Sequence, residues 1–177
     1  MEIHALAFLS NHFHLLVTVA SAQRLASFMN YLNSNLAREA GRLIRWREKF
    51  WGRRYQAVLV SREGEAQIAR LRYVLAHGVK EGLVGSPLDW PGAHCARALL
   101  HGTPLAGRWV DRTLEHAASR KRRPAGPGAF VTLEELRLAP LPCWKDLAEH
   151  RIRAHIRDLL EGIEREGRRR EHRTGAG

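Results

Sequence analysis

The chain has 177 residues, 45% of them hydrophobic, which suffices for a packed core and argues against a disordered chain. Its 29 Lys and Arg against 18 Asp and Glu give a formal net charge of +11, a field that attracts phosphate backbones or anionic surfaces. There is no apolar run of the roughly 18 residues a membrane span needs, no secretory leader is expected, and the isolated Cys95 and Cys143 suggest neither a disulfide framework nor a thiolate zinc site. The expected location is the cytoplasm.

In chain order, residues 3–9 (IHALAFL) and 13–20 (FHLLVTVA) are apolar and β-prone, and Ser10, Asn11 and His12 between them supply turn chemistry, so the pair predicts a hairpin. Ser21 is the expected cap of a helix running to about Arg45, with Leu25, Phe28, Met29, Leu32, Leu36 and Leu43 at helical spacing. YQAVLV, residues 55–60, has the composition of a third strand. Glu63 to about Val79 predicts a second long helix on an Ile68, Leu71, Leu75, Val79 stripe, with Gly78 and Gly82 marking its end. SPLDWPG is a loop, and Ala93 to Leu100 a shorter helix.

Arg120–Gly128 (RKRRPAGPG) is a basic, Pro/Gly-rich linker. TLEEL after it has the pattern of a helix start capped by Thr132, and Lys145 to about Arg170 that of a basic amphipathic helix. The implied division is a core over residues 1–100, a basic linker region over 101–128, and a helical basic C-terminal extension over 129–177. Strand, strand, helix, strand, helix is an α+β order: a ferredoxin-like antiparallel sheet with helices on one face, lacking its first strand and helix.

Two groups of residues carry possible chemistry. His12-Phe13-His14 opens a strand, where alternate side chains share a face, so both imidazoles can reach one ion. In a chain with ten histidines, an HxH pair alone is more often structural than ligating. Tyr73 and His77 are four apart on a helix and therefore stacked on one side of it. A phenol there could act as nucleophile beside a metal ligand, or Tyr73 could be a half-buried packing residue and His77 a cation at the helix C-terminus. Trp46, Phe50, Trp51 and Tyr55 interleave with basic residues, which fits either base stacking or a core edge; a mixture is expected, with Phe50 and Tyr55 inside and Arg53 and Arg54 outside. Trp90 reads as packing. The basic C-terminal helix fits either a DNA-gripping surface or a solvated tail.

SNHFHLLV, FWGRRYQAVLV and RLRYVLAHGVKEGLVGSPLDWPGA, three blocks in order across about residues 2–98, resemble the HUH single-tyrosine transposases. The likeness is nearest to the REP-associated tyrosine transposases, whose blocks read close to NHxHLLV and RYIxxNPVRAGLVxxPxDWPWSS. The resemblance implies a metal-dependent single-stranded DNA endonuclease and strand transferase working through a 5′-phosphotyrosine. It assigns Tyr73 as nucleophile, His12 and His14 as metal ligands, and His77 as third ligand where the family carries Asn or Gln. Arg53, Arg54, Arg70, Arg72 and Lys80 become candidates for holding DNA. The implied cofactor is Mg²⁺ or Mn²⁺, with Zn²⁺ or Ni²⁺ suited to three histidines. The implied partners are single-stranded or hairpin DNA and a second copy of the chain, with no membrane, at the bacterial nucleoid. A catalytically inactive DNA-binding remnant of such an enzyme is the alternative, because His77-Gly78 replaces Asn-Pro and the first strand and helix are not seen.

Overall fold

The computed structural model describes residues 1–120, 126 and 128–174, and its architecture is α+β. β1 (Glu2–Phe8) and β2 (Phe13–Thr18) pair antiparallel, as their apolar pattern predicts, with Leu6 opposite Leu15 and Ala7 opposite His14. The turn closes through the Leu9 N–H, which donates to the His12 carbonyl at 2.8 Å. The outer edge of β1 is covered by loop backbone: Phe8 N–H donates to Ala93 and Cys95 N–H to Leu6, each at 2.9 Å. His4 to Ala7 are consequently all buried.

α1 (Ala22–Leu43) begins where the cap predicts, with Ser21 Oγ accepting the Arg24 N–H at 3.2 Å. α2 (Gly64–Lys80) packs across both strands of the hairpin, burying Leu71, Val74 and Leu75. It does not end at Gly78. That residue lies inside the helix beneath the Trp90 ring, where a Cβ would come 2.8 Å from Trp90 Cε3, and the chain turns off only at Gly82, with φ +68°. Trp90 also donates its indole N–H to the Phe8 carbonyl at 2.9 Å, so it is a packing residue that ties the DWPG loop to β1. α3 (Ala96–His101) follows.

The chain between residues 101 and 137 departs most from expectation. β3 (Leu105–Val110) and β4 (Val131–Leu136) form a second antiparallel pair, and α4 (Arg112–Arg120) follows β3. TLEEL is therefore strand, not a helix start, and Thr132 caps nothing: it lies opposite Trp109 in the ladder. A capping pattern is a local signal, and the partner strand LAGRWV outweighs it through cross-strand pairs such as Val110 with Val131. Of the expected Arg120–Gly128 linker, residues 121–125 and 127 lie outside the described residues.

YQAVLV is also corrected, in that residues 55–60 form no strand. Its β-prone composition needs a neighbour, and in a ferredoxin-like order the last strand pairs with the first, which the described residues do not supply. Leu59 is 98% exposed as a result. α5 (Glu149–Thr174) forms as the periodicity predicts, and its Ile156, Leu160 and Ile163 are buried in the same cluster as Leu71 and Leu75. It lies directly along α2: a Cβ on Gly167 would come 2.6 Å from Val79 Cγ1.

Candidate active site

Four side chains from two elements meet on the outer side of the hairpin turn. His12 comes from the turn and His14 from β2, separated by one residue so that both face α2; Phe13 points away, stacking on Phe8 with centroids 5.0 Å apart. α2 supplies Tyr73 and His77 from successive turns. The His12 and His14 ring centroids are 5.1 Å apart, and those of His12 and His14 lie 4.9 and 4.5 Å from His77. Tyr73 stands edge-on to His14 at 5.2 Å and to His77 at 5.7 Å, and it is 39% exposed. The three histidines each present a ring nitrogen within 4.8 Å of the others.

Their chemistry suits a cation. Burial, then the neighbouring His77 and His12, pushes the His14 pKa from 6.5 down to about 4. Burial, then His12, lowers that of His77, with Glu81 opposing. Both are thus neutral near pH 7, the form that donates a lone pair. His12 Nε2 lies 2.9 Å from His77 Nε2, close to the spacing of two nitrogens that share an ion at about 2.0–2.1 Å each. His14 Nε2 and His77 Nδ1 are shut off from solvent with no hydrogen-bond partner. Leaving such a nitrogen unpaired costs on the order of 1–3 kcal/mol, which ligation would remove at a nitrogen it engages. The residues present therefore fit a bound divalent ion.

Asn11 adds a group to which sequence reasoning gave only a turn role. Its Oδ1 lies 2.6 Å from His12 Nδ1, so the ring donates there and turns its Nε2 lone pair towards His77. The signal was its position beside a ligand candidate.

The basic candidates do not form one group. Lys80 is exposed, with its ammonium 5.6 Å from the Tyr73 ring centre. Arg72 is engaged in an ion pair with Glu166 of α5. Arg70 is exposed on α2, while Arg53 and Arg54 are exposed on the segment before residue 55. Phe50 and Tyr55 are half-buried, as expected, and Trp51 joins them, donating its indole N–H to the Asn33 carbonyl at 2.8 Å. Trp46 is 51% exposed. The two cysteines are free thiols, and burial raises Cys95 to about 12, an inert packing residue. Among the described residues no helix is long and apolar enough to cross a membrane.

Residues 1–76 match the family model described as Transposase IS200 like. That stretch is similar to the IS200-like transposases. The matched region holds His12, His14 and Tyr73 and stops one residue short of His77. No curated protein and no solved structure matches. The match covers less than half of the chain, and the three clustered histidines, two inside the matched stretch and one just after it, could hold a metal.

Proposed function

We propose that the chain is a metal-dependent endonuclease and strand transferase for single-stranded DNA, with Tyr73 as nucleophile and His12, His14 and His77 as metal ligands. The observation that carries this reading is the convergence of a half-exposed phenol with three imidazoles, at a point where Tyr73, His12 and His14 all lie in the stretch that matches the transposase family and His77 directly follows it. A metal held there would act as a Lewis acid on a non-bridging phosphate oxygen. Three imidazole nitrogens favour Zn²⁺, Ni²⁺ or Mn²⁺ over the harder Mg²⁺.

The chemistry is a transesterification. The Tyr73 oxygen bonds to phosphorus, the bond to the 3′ oxygen breaks, the phenol proton is lost, and the 3′ oxygen leaves as a hydroxyl. A 5′-phosphotyrosine keeps the phosphodiester's energy, so a second 3′-hydroxyl can reverse the step and join a new strand. Tyr73 is presented on a rigid helix, which holds the attacking atom in place. Lys80 beside its ring, together with the exposed Arg53, Arg54 and Arg70 elsewhere on the surface, would draw in the DNA backbone. We further propose a homodimer, since among the described residues no strand pairs with the outer edge of β2 and Val58 and Leu59 stand exposed.

Incubation with end-labelled single-stranded hairpin DNA and Mn²⁺, Zn²⁺ or Mg²⁺ tests the activity. A denaturant-resistant protein–DNA adduct is expected, lost on chelation and in Tyr73→Phe. Binding without adduct under every metal would reduce the chain to a DNA-binding remnant. Cleavage that survives Tyr73→Phe would instead indicate a metal-dependent hydrolase. Sedimentation equilibrium decides the dimer.

A further inference from the structure

Resting on that reading, we infer that the cleft between α2 and α5 is a second seat for the DNA strand, holding the nucleotide next to the one that Tyr73 attacks. Ala69, Arg72, Tyr73, Ala76 and Lys80 form one continuous stripe of α2, and α5 faces it with Ile163, Glu166, Gly167 and Arg170. The space between is about 170 Å³ and open to solvent. That is well below the roughly 300 Å³ where pockets for free small molecules begin, so it suits one unit of a polymer. Part of its lining, from Ala69, Ala76, Val79 and Ile163, is apolar, as a base or sugar face requires; the rest carries Arg72, Lys80 and Arg170 against the single carboxylate of Glu166.

Tyr73 is shared between the two sites. One side of its ring meets His14 and His77, and the residue also lines the cleft, so a strand crossing the phenol runs directly from the histidines into the groove. Glu166 occupies the place a phosphate would take, paired with Arg72 while 56% of its side chain is exposed. A half-solvated ion pair of this kind is weak, and a phosphate can replace the carboxylate at Arg72. α5 thereby becomes part of the substrate surface as well as part of the core.

Binding of the full chain to a labelled single strand of about 12 nucleotides, without divalent metal so that no cleavage intervenes, tests the seat by a salt titration. Arg170→Ala should weaken binding about 10-fold and reduce the salt slope by about 0.7, the loss of one single-strand phosphate contact. Glu166→Gln should tighten binding several-fold. Ala69→Leu, which fills the cleft from an exposed position without changing charge, should weaken it. Arg165→Ala removes the same charge from α5 away from the cleft, at a residue paired with Glu161 at 3.7 Å. Equal effects of Arg165→Ala and Arg170→Ala, together with wild-type affinity in Glu166→Gln and Ala69→Leu, would overturn the proposal. So would displacement of the DNA by an acidic peptide at equal charge concentration. Adduct formation by the wild type is read separately with metal present, so a failed seat and a failed nucleophile give different results.

Discussion

His77 is the residue at which this chain departs most informatively from the pattern it resembles. Replacing an amide by an imidazole at that point converts a mixed oxygen and nitrogen donor set into three nitrogens, and the choice of ion should follow. His77→Gln is expected to lower Zn²⁺ affinity on the order of 100-fold, about 2.7 kcal/mol, and to lower Mn²⁺ affinity much less, as read by competition with a chromophoric chelator. An unchanged Zn²⁺ affinity would remove His77 from the ligand set. Asn11 acts one step further out. Asn11→Ala frees the His12 ring to rotate and should weaken metal binding about 10-fold without altering the fold, as judged by circular dichroism.

His94 gives a pH signature independent of the metal. It is largely buried, its Nδ1 accepts the Ala96 N–H at 3.1 Å, and burial lowers its pKa from 6.5 to about 4 against a smaller opposing effect of the Val74 backbone. The folded value lies below the unfolded one, so the unfolded chain takes up the proton first. Nothing is lost above about pH 6.5, and stability falls as pH drops from there towards 4, by up to about 3 kcal/mol. His94→Asn keeps an acceptor for Ala96 and removes the titration. Its urea-unfolding free energy should therefore change less than that of the wild type between about pH 7 and pH 4.5; equal changes would mean that His94 is hydrated when folded.

At the scale of elements, what was legible followed the range of the interaction. The β1–β2 hairpin, the Ser21 cap and the helical stripe of α2 rest on period and local chemistry, and these put His12 and His14 on one face and Tyr73 and His77 on another. That the two faces meet needed only the packing of one amphipathic helix on one hairpin. Strand identity is non-local, and there local chemistry misled in both directions. YQAVLV has strand composition and no partner among the described residues, while TLEEL has a cap pattern and a partner 27 residues upstream at its centre, Glu134 opposite Gly107. Gly78 shows the same limit. It looks like a helix stop, yet the stop is at Gly82 and Gly78 makes room for a ring. Gly78→Ala would gain helix propensity but press a methyl to 2.8 Å from the rigid Trp90 indole and 3.1 Å from Val84 Cγ2, so two side chains would have to give way. A net loss of about 1–3 kcal/mol is expected in thermal unfolding, against a gain of about 1 kcal/mol if the Trp90 loop yields freely.

For the molecule as a whole, the decisive element is the one whose sequence looks least like core. α5 is rich in arginine and reads as either a DNA-gripping surface or a solvated tail, and periodicity alone says that it is a helix without saying what it packs on. Gly167 holds that information: in mid-helix it costs about 1 kcal/mol relative to alanine, a cost explained once Val79 is seen pressed against its Cα side. Ile156, Leu160 and Ile163, at 0%, 3% and 2% exposure, seal the side of α2 that the hairpin leaves open. Burying three such side chains is worth on the order of 5–9 kcal/mol, comparable to the entire stability of a domain of this size. Ending the chain after residue 148 should therefore yield a protein that no longer melts cooperatively and exposes Leu71 and Leu75, detectable as binding of a hydrophobic dye. A truncated chain that kept the wild-type melting temperature would show that the helix is the appendage its composition suggests. A subtler version keeps the length: Gly167→Val forces the two helices apart near Lys80, widening the cleft beside Tyr73. It should lower stability by about 1–3 kcal/mol, and by shifting α2 against the hairpin it should weaken metal binding at His77 although the substitution lies on another element.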